Sequence, residues 1–139
     1  MKRLILFLLP ALLISALPGC KRSVEKKAED YILEIMTQGR WYMHQYTEQD
    51  IDLTYEFQGY EFQFHENGKV DGIRDNIVVK TGTWQGDITN YSITANFESA
   101  ALPLAKLNNT WKITDSYINA VFAEATVGSA IHKMQLVKK

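Results

Sequence analysis

The sequence predicts an all-β fold with one short N-terminal helix, arranged as a small antiparallel up-and-down β-barrel of about eight strands. After residue 39, apolar and polar residues alternate with period two, which is typical of strands with one buried and one solvated face. Turn signals separate these segments every 10 to 15 residues. Consecutive strands joined by tight turns favour a meander that closes into a barrel and so removes exposed sheet edges.

The N-terminal segment has the features of a secretory signal peptide. Lys2 and Arg3 precede an apolar run over residues 4–17, which only Pro10 and Ser15 interrupt. The run has 14 residues, whereas a helix needs about 20 apolar residues to cross a bilayer. A basic start followed by a short apolar run and small residues is typical of a cleaved signal. We therefore predict that residues 1–19 are a signal peptide.

Cys20, the single cysteine of the chain, follows Leu17-Pro18-Gly19. This ending resembles the lipobox of bacterial lipoproteins, where an aliphatic residue stands three positions before a cysteine that receives a diacylglyceryl group. The resemblance implies cleavage before Cys20 and acyl chains, such as palmitate, that anchor the protein in a membrane; two or more chains hold stably. The alternatives are a leftover residue of an ordinary signal peptide or an unpaired core thiol. The charges beside Cys20 disfavour a core position.

The residues after Cys20 divide into a tether and one domain. Residues 20–27 are polar and charged, and we predict a lipidated tether there, followed by the barrel domain over residues 28–139. Lys21 gives no inner-membrane retention signal by the enterobacterial pattern, so the expected location is the cell envelope, lipid-anchored in the outer membrane. Removing Lys2 and Arg3 moves the formal net charge from −1 to −3. A weakly acidic domain disfavours nucleic acid as a partner.

The first element of the domain is a helix predicted over residues 24–37. Its apolar stripe recurs at helical spacing on Val24, Ala28, Tyr31, Ile32 and Ile35. Ser23 is a candidate N-cap and Gly39 a candidate terminator. The alternating segments then predict strands over residues 51–57, 60–65, 90–97, 111–117 and 132–136.

The hairpin around Glu66-Asn67-Gly68 has a register that packing can decide. A two-residue Asn-Gly loop would place Phe64 opposite Asp71, whereas a three-residue loop places Phe64 opposite Val70 and Phe62 opposite Gly72. We predict the three-residue loop with Gly68 in the left-handed bulge position, because it keeps the core aromatics away from a carboxylate.

Two further positions interrupt the alternating pattern. Pro103 makes residues 99–106 a connection or a short helical turn. Asp115 breaks the apolar face that Trp111, Ile113 and Tyr117 share, and it marks a strand end, a bulge or a polar group turned into a cavity.

Taken in order, these motifs resemble the small bacterial lipocalin-like lipoproteins. After the lipobox and the helix come Gly39-Arg40-Trp41, similar to the Gly-x-Trp that opens the first strand of lipocalins, and then the stretches "GYEFQFHENGKV", "TGTWQGD" and "LPLAKLNNTWKI". The resemblance spans about three quarters of the chain. It implies a compact antiparallel barrel without an assigned enzyme activity, and its larger relatives carry small apolar molecules. Fold alone does not fix function.

The aromatic residues are the candidate ligand-binding residues. Large aromatics can line a cavity, or they can fill a small barrel whose interior is only wide enough for its own side chains. The candidates for a cavity wall are Trp41, Phe62, Phe64, Trp84, Tyr91 and Trp111, with Ile93 in addition.

The ionisable residues show no spacing that indicates catalysis or a metal site. His44, His65 and His132 lie in different strands; His65 is expected to face solvent, and His132 lies on an apolar face. The carboxylates of Asp50, Asp52 and Glu56 are assigned to the wet face of a strand, and those of Asp71 and Asp75 to loops. We therefore expect no enzyme activity, metal or cofactor.

Two functions remain: a membrane-anchored module that binds a small, partly apolar ligand inside or at the mouth of the barrel, or a structural lipoprotein with a solid barrel that contacts an unknown protein partner.

Overall fold

The structure, a computed structural model, describes residues 19–139, with side chains from residue 22 onward. The predicted signal peptide, apart from Gly19, and the side chain of Cys20 lie outside the described part. Helix α1 spans Gly19–Thr37, so it begins before the predicted residue 24, and the predicted tether of residues 20–27 is helical. Lys, Arg and Glu, which favour helices, make up five of the eight residues of that segment. Within residues 19–139, no helix combines the length and hydrophobicity needed to span a bilayer.

Nine antiparallel strands follow the helix, and eight of them close into a barrel. The first and last strands of the series pair with each other, which joins the two edges of the sheet, while the short β2 pairs only with β1. This architecture confirms the predicted fold class. The strands are β1 Trp41–Glu48, β2 Ile51–Asp52, β3 Tyr60–Phe64, β4 Lys69–Arg74, β5 Ile77–Asp87, β6 Ser92–Asn96, β7 Asn109–Tyr117, β8 Ala120–Val127 and β9 Ala130–Lys138.

The β3–β4 hairpin has the predicted register. Phe64 pairs with Val70 and Phe62 with Gly72, and Gly68 has a φ of +79° in the left-handed region. Phe62, Phe64 and Val70 are buried in the barrel interior. The packing preference of the two aromatic rings therefore predicts the pairing correctly.

The prediction of a strand over residues 51–57 is wrong. β2 ends at Asp52, and Thr54–Phe57 forms a 3₁₀ helix. The Asp52 carboxylate accepts a hydrogen bond from the backbone N–H of Thr54, an arrangement that turns the chain out of the sheet. Phe57 then packs against Tyr46 and is buried, while Tyr55 is exposed.

The two interruptions in the alternating pattern have local structural causes. Residues 97–108 connect β6 to β7 and contain a second 3₁₀ helix, Leu104–Leu107, which agrees with the predicted helical turn. In β7, the pairing with β8 shifts between Ile113 and Asp115, so Thr114 is the extra residue of a bulge that lies directly before Asp115, which itself pairs with Phe122. Of the three interpretations of this residue, the bulge is the one that fits.

The two ends of the barrel are covered by different elements. Helix α1 lies at the end that we call the mouth, where the Trp41 indole donates to the carbonyl of Met36 at 3.0 Å and Lys138 donates to that of Ile35 at 2.9 Å. The two 3₁₀ helices cover the opposite end, which we call the closed end, and they bury Phe57, Leu104 and Leu107 there.

A group of polar side chains joins four elements at the closed end. Lys106 Nζ lies 3.0 Å from Glu48 Oε1 and 2.5 Å from Glu56 Oε2. The hydroxyl of Tyr46 lies 3.1 Å from both Glu48 Oε1 and His132 Nδ1. We call these five residues the closed-end cluster. It ties the second 3₁₀ helix to β1, β9 and the first 3₁₀ helix.

The closed-end cluster shifts the ionisation of its members. Burial alone would raise the pKa of Glu48, but hydrogen bonds from Lys106 and Tyr46 outweigh burial and hold this pKa below its usual value. Burial would lower the pKa of Lys106, and the bonds to Glu56 and Glu48 raise it instead. For Tyr46, burial and the charge of Glu48 both raise the pKa. Glu48 is therefore ionised and Lys106 charged at neutral pH.

Gly82 in β5 provides a test of the barrel packing. A Cβ atom there would lie 2.5 Å from the backbone oxygen of Asn96, whereas one at Gly86 in the same strand would meet nothing closer than 3.8 Å. We expect Gly82→Ala to lower the free energy of unfolding by about 1–3 kcal/mol in chemical denaturation. Gly86→Ala is the matched control, and equal losses in both variants would contradict this packing.

A second test concerns Lys106 in the closed-end cluster. We expect Lys106→Met to cost about 2 kcal/mol of stability at neutral pH, because two partly buried carboxylates lose their cation. A carboxylate with a lowered pKa in the folded state stabilises the fold above its unfolded pKa, and this contribution is lost as the pH falls. The parent protein should therefore lose stability below its ordinary glutamate pKa, about 4.3, and the variant should lose less.

The control for this test is Lys133→Met, because Lys133 and Asp50 form an exposed pair at 3.9 Å. We expect a change of at most about 0.5 kcal/mol there, with an unaltered pH dependence. Unfolding followed by fluorescence between acid and neutral pH measures both variants. Parallel pH profiles for the parent and Lys106→Met would contradict the role of Lys106.

Candidate functional site

The interior of the barrel is filled by its own side chains. The cavity there measures about 30 Å³, which is about the volume that one water molecule occupies in the liquid. Sites for small ligands typically measure about 300–1,000 Å³. The cavity is lined by Phe62, Phe64, Val70, Ile93, Ala95, Phe97, Leu107, Trp111, Met134 and Leu136. A ligand site of ordinary size must therefore lie outside the barrel interior.

Five of the six aromatic residues that the sequence indicates as candidates for a cavity wall are packed in the core. Trp41, Phe62, Phe64, Trp84 and Trp111 are at most 7% exposed. The indole N–H of Trp84 donates to the carbonyl of His65 at 2.9 Å, and that of Trp111 to the carbonyl of Leu107 at 3.0 Å. Since the Trp41 indole also has a backbone partner, all three indoles are satisfied within the fold. Their arrangement agrees with the interpretation that the tryptophans fill the barrel and close its ends.

The sixth residue, Tyr91, lies in a different environment. It was assigned to a strand, but β6 begins at Ser92, and Tyr91 sits in the β5–β6 turn with a φ of +49°. Asp87 shapes this turn by accepting hydrogen bonds from the backbone N–H groups of Thr89 and Asn90. The Tyr91 side chain is 66% exposed, so it is available at the surface.

Tyr91 lines an apolar cleft at the mouth, on one side of helix α1. This cleft, which we call the mouth cleft, has a volume of about 540 Å³ and lies between α1, the β5–β6 turn and the β7–β8 hairpin. Its walls are formed by Tyr31, Ile32, Ile35, Met36, Tyr91, Ile93, Ile113, Ser116, Tyr117, Ile118 and Val121. The three tyrosines and Ile118 are more than half exposed, whereas Ile93 and Val121 are buried at its base.

The mouth cleft has no ionisable acid or base in its walls apart from tyrosine hydroxyls. Its polar groups are the hydroxyls of Tyr31, Tyr91, Tyr117 and Ser116. Tyr117 donates to the Asp115 carboxylate at 3.0 Å, and this hydrogen bond raises the pKa of Tyr117 above its usual value. The cleft is therefore neutral at physiological pH, and its chemistry suits an uncharged, mostly apolar molecule with one or two polar groups.

A second cleft, on the other side of α1, has a contrasting character. It measures about 390 Å³ and includes the acidic side chains of Glu29, Asp30 and Glu66 in its wall, beside Trp84 and Ile88. Helix α1 thus divides the mouth into an apolar and an acidic half.

Most residues of the mouth cleft are not predicted as site residues by the sequence. The alternating pattern predicts Ile113 and Tyr117 on the core face of a strand, and it gives no indication of a role for Ser116 or Ile118. One signal was present, since β7 ends with Tyr117 and the two-residue turn that follows begins with Ile118, where a small or polar residue is usual. Two large apolar residues at the tip of an exposed hairpin indicate a contact surface.

The histidines and carboxylates are dispersed over the barrel. The sequence predicts a loop position for Asp71, but this residue lies in β4 on the outer face, where its carboxylate is 2.8 Å from His65 and 2.5 Å from the Thr81 hydroxyl. Burial would raise the pKa of Asp71, and the bonds from Thr81 and His65 lower it overall. His65 is therefore partly covered, His132 belongs to the closed-end cluster, and His44 is exposed.

Within residues 19–139, no group of three or more His, Cys, Asp and Glu side chains has the proximity that a metal ion requires. Asp71 forms part of a local surface network with His65 and Thr81, whereas Glu48 and Glu56 share the cation of Lys106. Glu48 and Glu56 thus face the same cation, and this arrangement does not provide the opposed environments that divide acid from base.

Comparisons with known proteins concern the fold. No protein-family model matches the chain, and no curated protein matches it. Among solved structures, it is similar to the crystal structure of a DUF4847 family protein from Bacteroides vulgatus ATCC 8482 at 1.00 Å resolution. The two share 16% sequence identity with a TM-score of 0.57, over 78% of this chain and 97% of that chain. At this identity, the likeness shows a shared β-barrel fold.

Proposed function

We propose that this protein is a lipid-anchored, lipocalin-like binding module, and that its mouth cleft takes a small, uncharged and mostly apolar molecule. The observation that carries the proposal is the apolar cleft of about 540 Å³ between α1 and two hairpins at the barrel mouth. Its volume lies within the usual range for ligand sites, about 300–1,000 Å³. The ligand is expected at the mouth rather than inside, because the interior cavity is too small.

The composition of the mouth cleft supports this ligand class. Isoleucine and valine side chains form its base, and burying an apolar group against them is favourable by about 25 cal/mol per Å² of area removed from water. Tyrosine rings around the entrance add contact area, and their hydroxyls can orient a polar group of the ligand. A charged ligand would find no counter-ion in these walls.

The anchoring part of the proposal is supported by the sequence around Cys20. Leu17, Gly19 and Cys20 match the lipobox, and Cys20 lies within helix α1. Cleavage before Cys20 would make it the first residue of this helix, so its lipid would lie at that end. We propose a non-catalytic role in the cell envelope, with the lipid in the outer membrane. The barrel would then be held at the membrane surface by a helical connection instead of a flexible tether.

A second candidate is a structural lipoprotein that contacts a protein partner, and one observation favours it. The β4–β5 hairpin exposes three consecutive apolar residues, Ile77, Val78 and Val79, which are 49–66% exposed. They are exposed together because Val79 is an extra residue where the pairing with β4 shifts. Exposed apolar patches of this kind indicate protein contact surfaces.

A pair of matched substitutions separates the two candidates. Ile118 in the mouth cleft and Ile77 on the β4–β5 hairpin are 67% and 66% exposed, so neither is needed for the core. We expect Ile118→Asp to weaken binding of the neutral apolar dye Nile red about tenfold, since it places a charge in an apolar wall. Ile77→Asp should leave the affinity unchanged, and fluorescence titration measures both.

The natural occupant can be sought with the same variants by native mass spectrometry, after purification from the protein's own envelope. A small added mass that Ile118→Asp loses and Ile77→Asp retains supports the ligand-binding role. A protein complex that only Ile77→Asp loses supports the structural role. Dye binding that is equal in both variants, with no added small mass, would contradict the proposed site.

Anchoring is tested separately at Cys20. We expect Cys20→Ala to release the protein from the membrane fraction or to leave it unprocessed, because the acceptor sulfur of the lipid is lost. Fractionation and gel mobility of the expressed chain measure the result. A variant that fractionates and migrates like the parent would contradict lipidation, without bearing on the mouth cleft.

A further inference from the structure

The first half of helix α1 is strongly basic. Residues 21–27 contain four cations, Lys21, Arg22, Lys26 and Lys27, and a single acid, Glu25. Their formal charge is +3, whereas residues 28–139 carry a formal charge of −6. The charge of the chain is therefore segregated, with a basic segment directly after Cys20 and an acidic barrel beyond it.

This basic segment projects away from the barrel. Every residue from 22 to 30 is exposed, and α1 contributes to the mouth clefts only from Glu29 onward. The contacts that hold the helix, from Trp41 and Lys138, lie at Met36 and Ile35. Among the described side chains, Arg22, Lys26 and Lys27 form no ion pair. These cations are consequently available to a partner.

We infer that residues 21–27 bind the anionic headgroups of a lipid bilayer. The charge complementarity favours this occupant, because each Lys or Arg near an anionic surface contributes about 1 kcal/mol, within a Debye length of about 10 Å. The inference extends the proposed anchoring, since seven helical residues after Cys20 rise about 10 Å. The acidic barrel is repelled by the same surface, so the two effects together orient the protein with the barrel away from the bilayer.

The test uses residues 19–139 with Cys20→Ser, which contain every contact described above but have no acyl chain. Vesicles of phosphatidylcholine alone are compared with vesicles that also contain one third phosphatidylglycerol, by co-sedimentation over a range of lipid concentrations. We expect binding to the anionic vesicles only, weakened by added salt. Neutralising one cation should reduce the partition coefficient about fivefold.

The decisive comparison is between two variants of equal net charge. In the first, the cations at residues 21, 22, 26 and 27 are replaced by Gln; in the second, Lys69, Lys80, Lys112 and Lys133 of the barrel are replaced by Gln. We expect the first to lose binding by several hundredfold and the second to bind weaker by far less. Equal losses, or no binding of the parent to anionic vesicles, would overturn the inference. Because no lipid is attached, this outcome is independent of processing at Cys20 and of ligand binding in the mouth cleft.

Discussion

The structure depends on the way in which three tryptophans close the barrel. Each buries its rings in the core and donates its indole N–H to a backbone carbonyl of a segment that covers an end: Met36 in α1, His65 in the β3–β4 hairpin and Leu107 in the second 3₁₀ helix. A buried donor without a partner costs free energy, so these bonds fix both the rings and the covering segments. Packed in this way, the three rings help to fill the barrel interior. A binding site of ordinary size must therefore lie outside the interior.

Because its own side chains fill the barrel interior, the apolar cleft lies outside it, where the helix and two hairpins meet at the mouth. At the mouth, helix α1 rests on the barrel through its last two turns and leaves a cleft on either side. The two clefts differ because α1 carries isoleucines toward one side and acidic residues toward the other. A single amphipathic helix therefore determines the apolar character of the mouth cleft as well as its position.

The sequence predicts those parts of the fold that depend on local pattern. Alternation gives the barrel class, and the aromatic face of β3 gives the hairpin register, because a shift by one residue would place the Asp71 carboxylate opposite Phe64 in the core. The 3₁₀ helix at Thr54–Phe57 was missed, since its residues alternate like a strand, whereas the hydrogen bonds of the Asp52 and Thr54 side chains that help to turn the backbone leave no periodic signal. Asp71 was misplaced because its partners, His65 and Thr81, come from neighbouring strands.

The mouth cleft could not be derived from the sequence for a related reason. Its walls come from α1 and from two hairpins that are far apart in the chain, and no local pattern relates them. Tyr91, which the sequence predicts as part of a cavity wall, lines this cleft from a turn rather than from the inner face of β6.

The pairing that joins the two edges of the sheet has a consequence for how the chain assembles. β1 matches β3 over two residue pairs and β9 over seven, and Trp41 lies opposite Lys138. The first strand thus obtains most of its backbone partners from the last one synthesised. Contacts between distant parts of a chain form slowly, because a long loop must close first. The hairpins of the central strands can form early, and the seam between the first and last strands completes the barrel at the end.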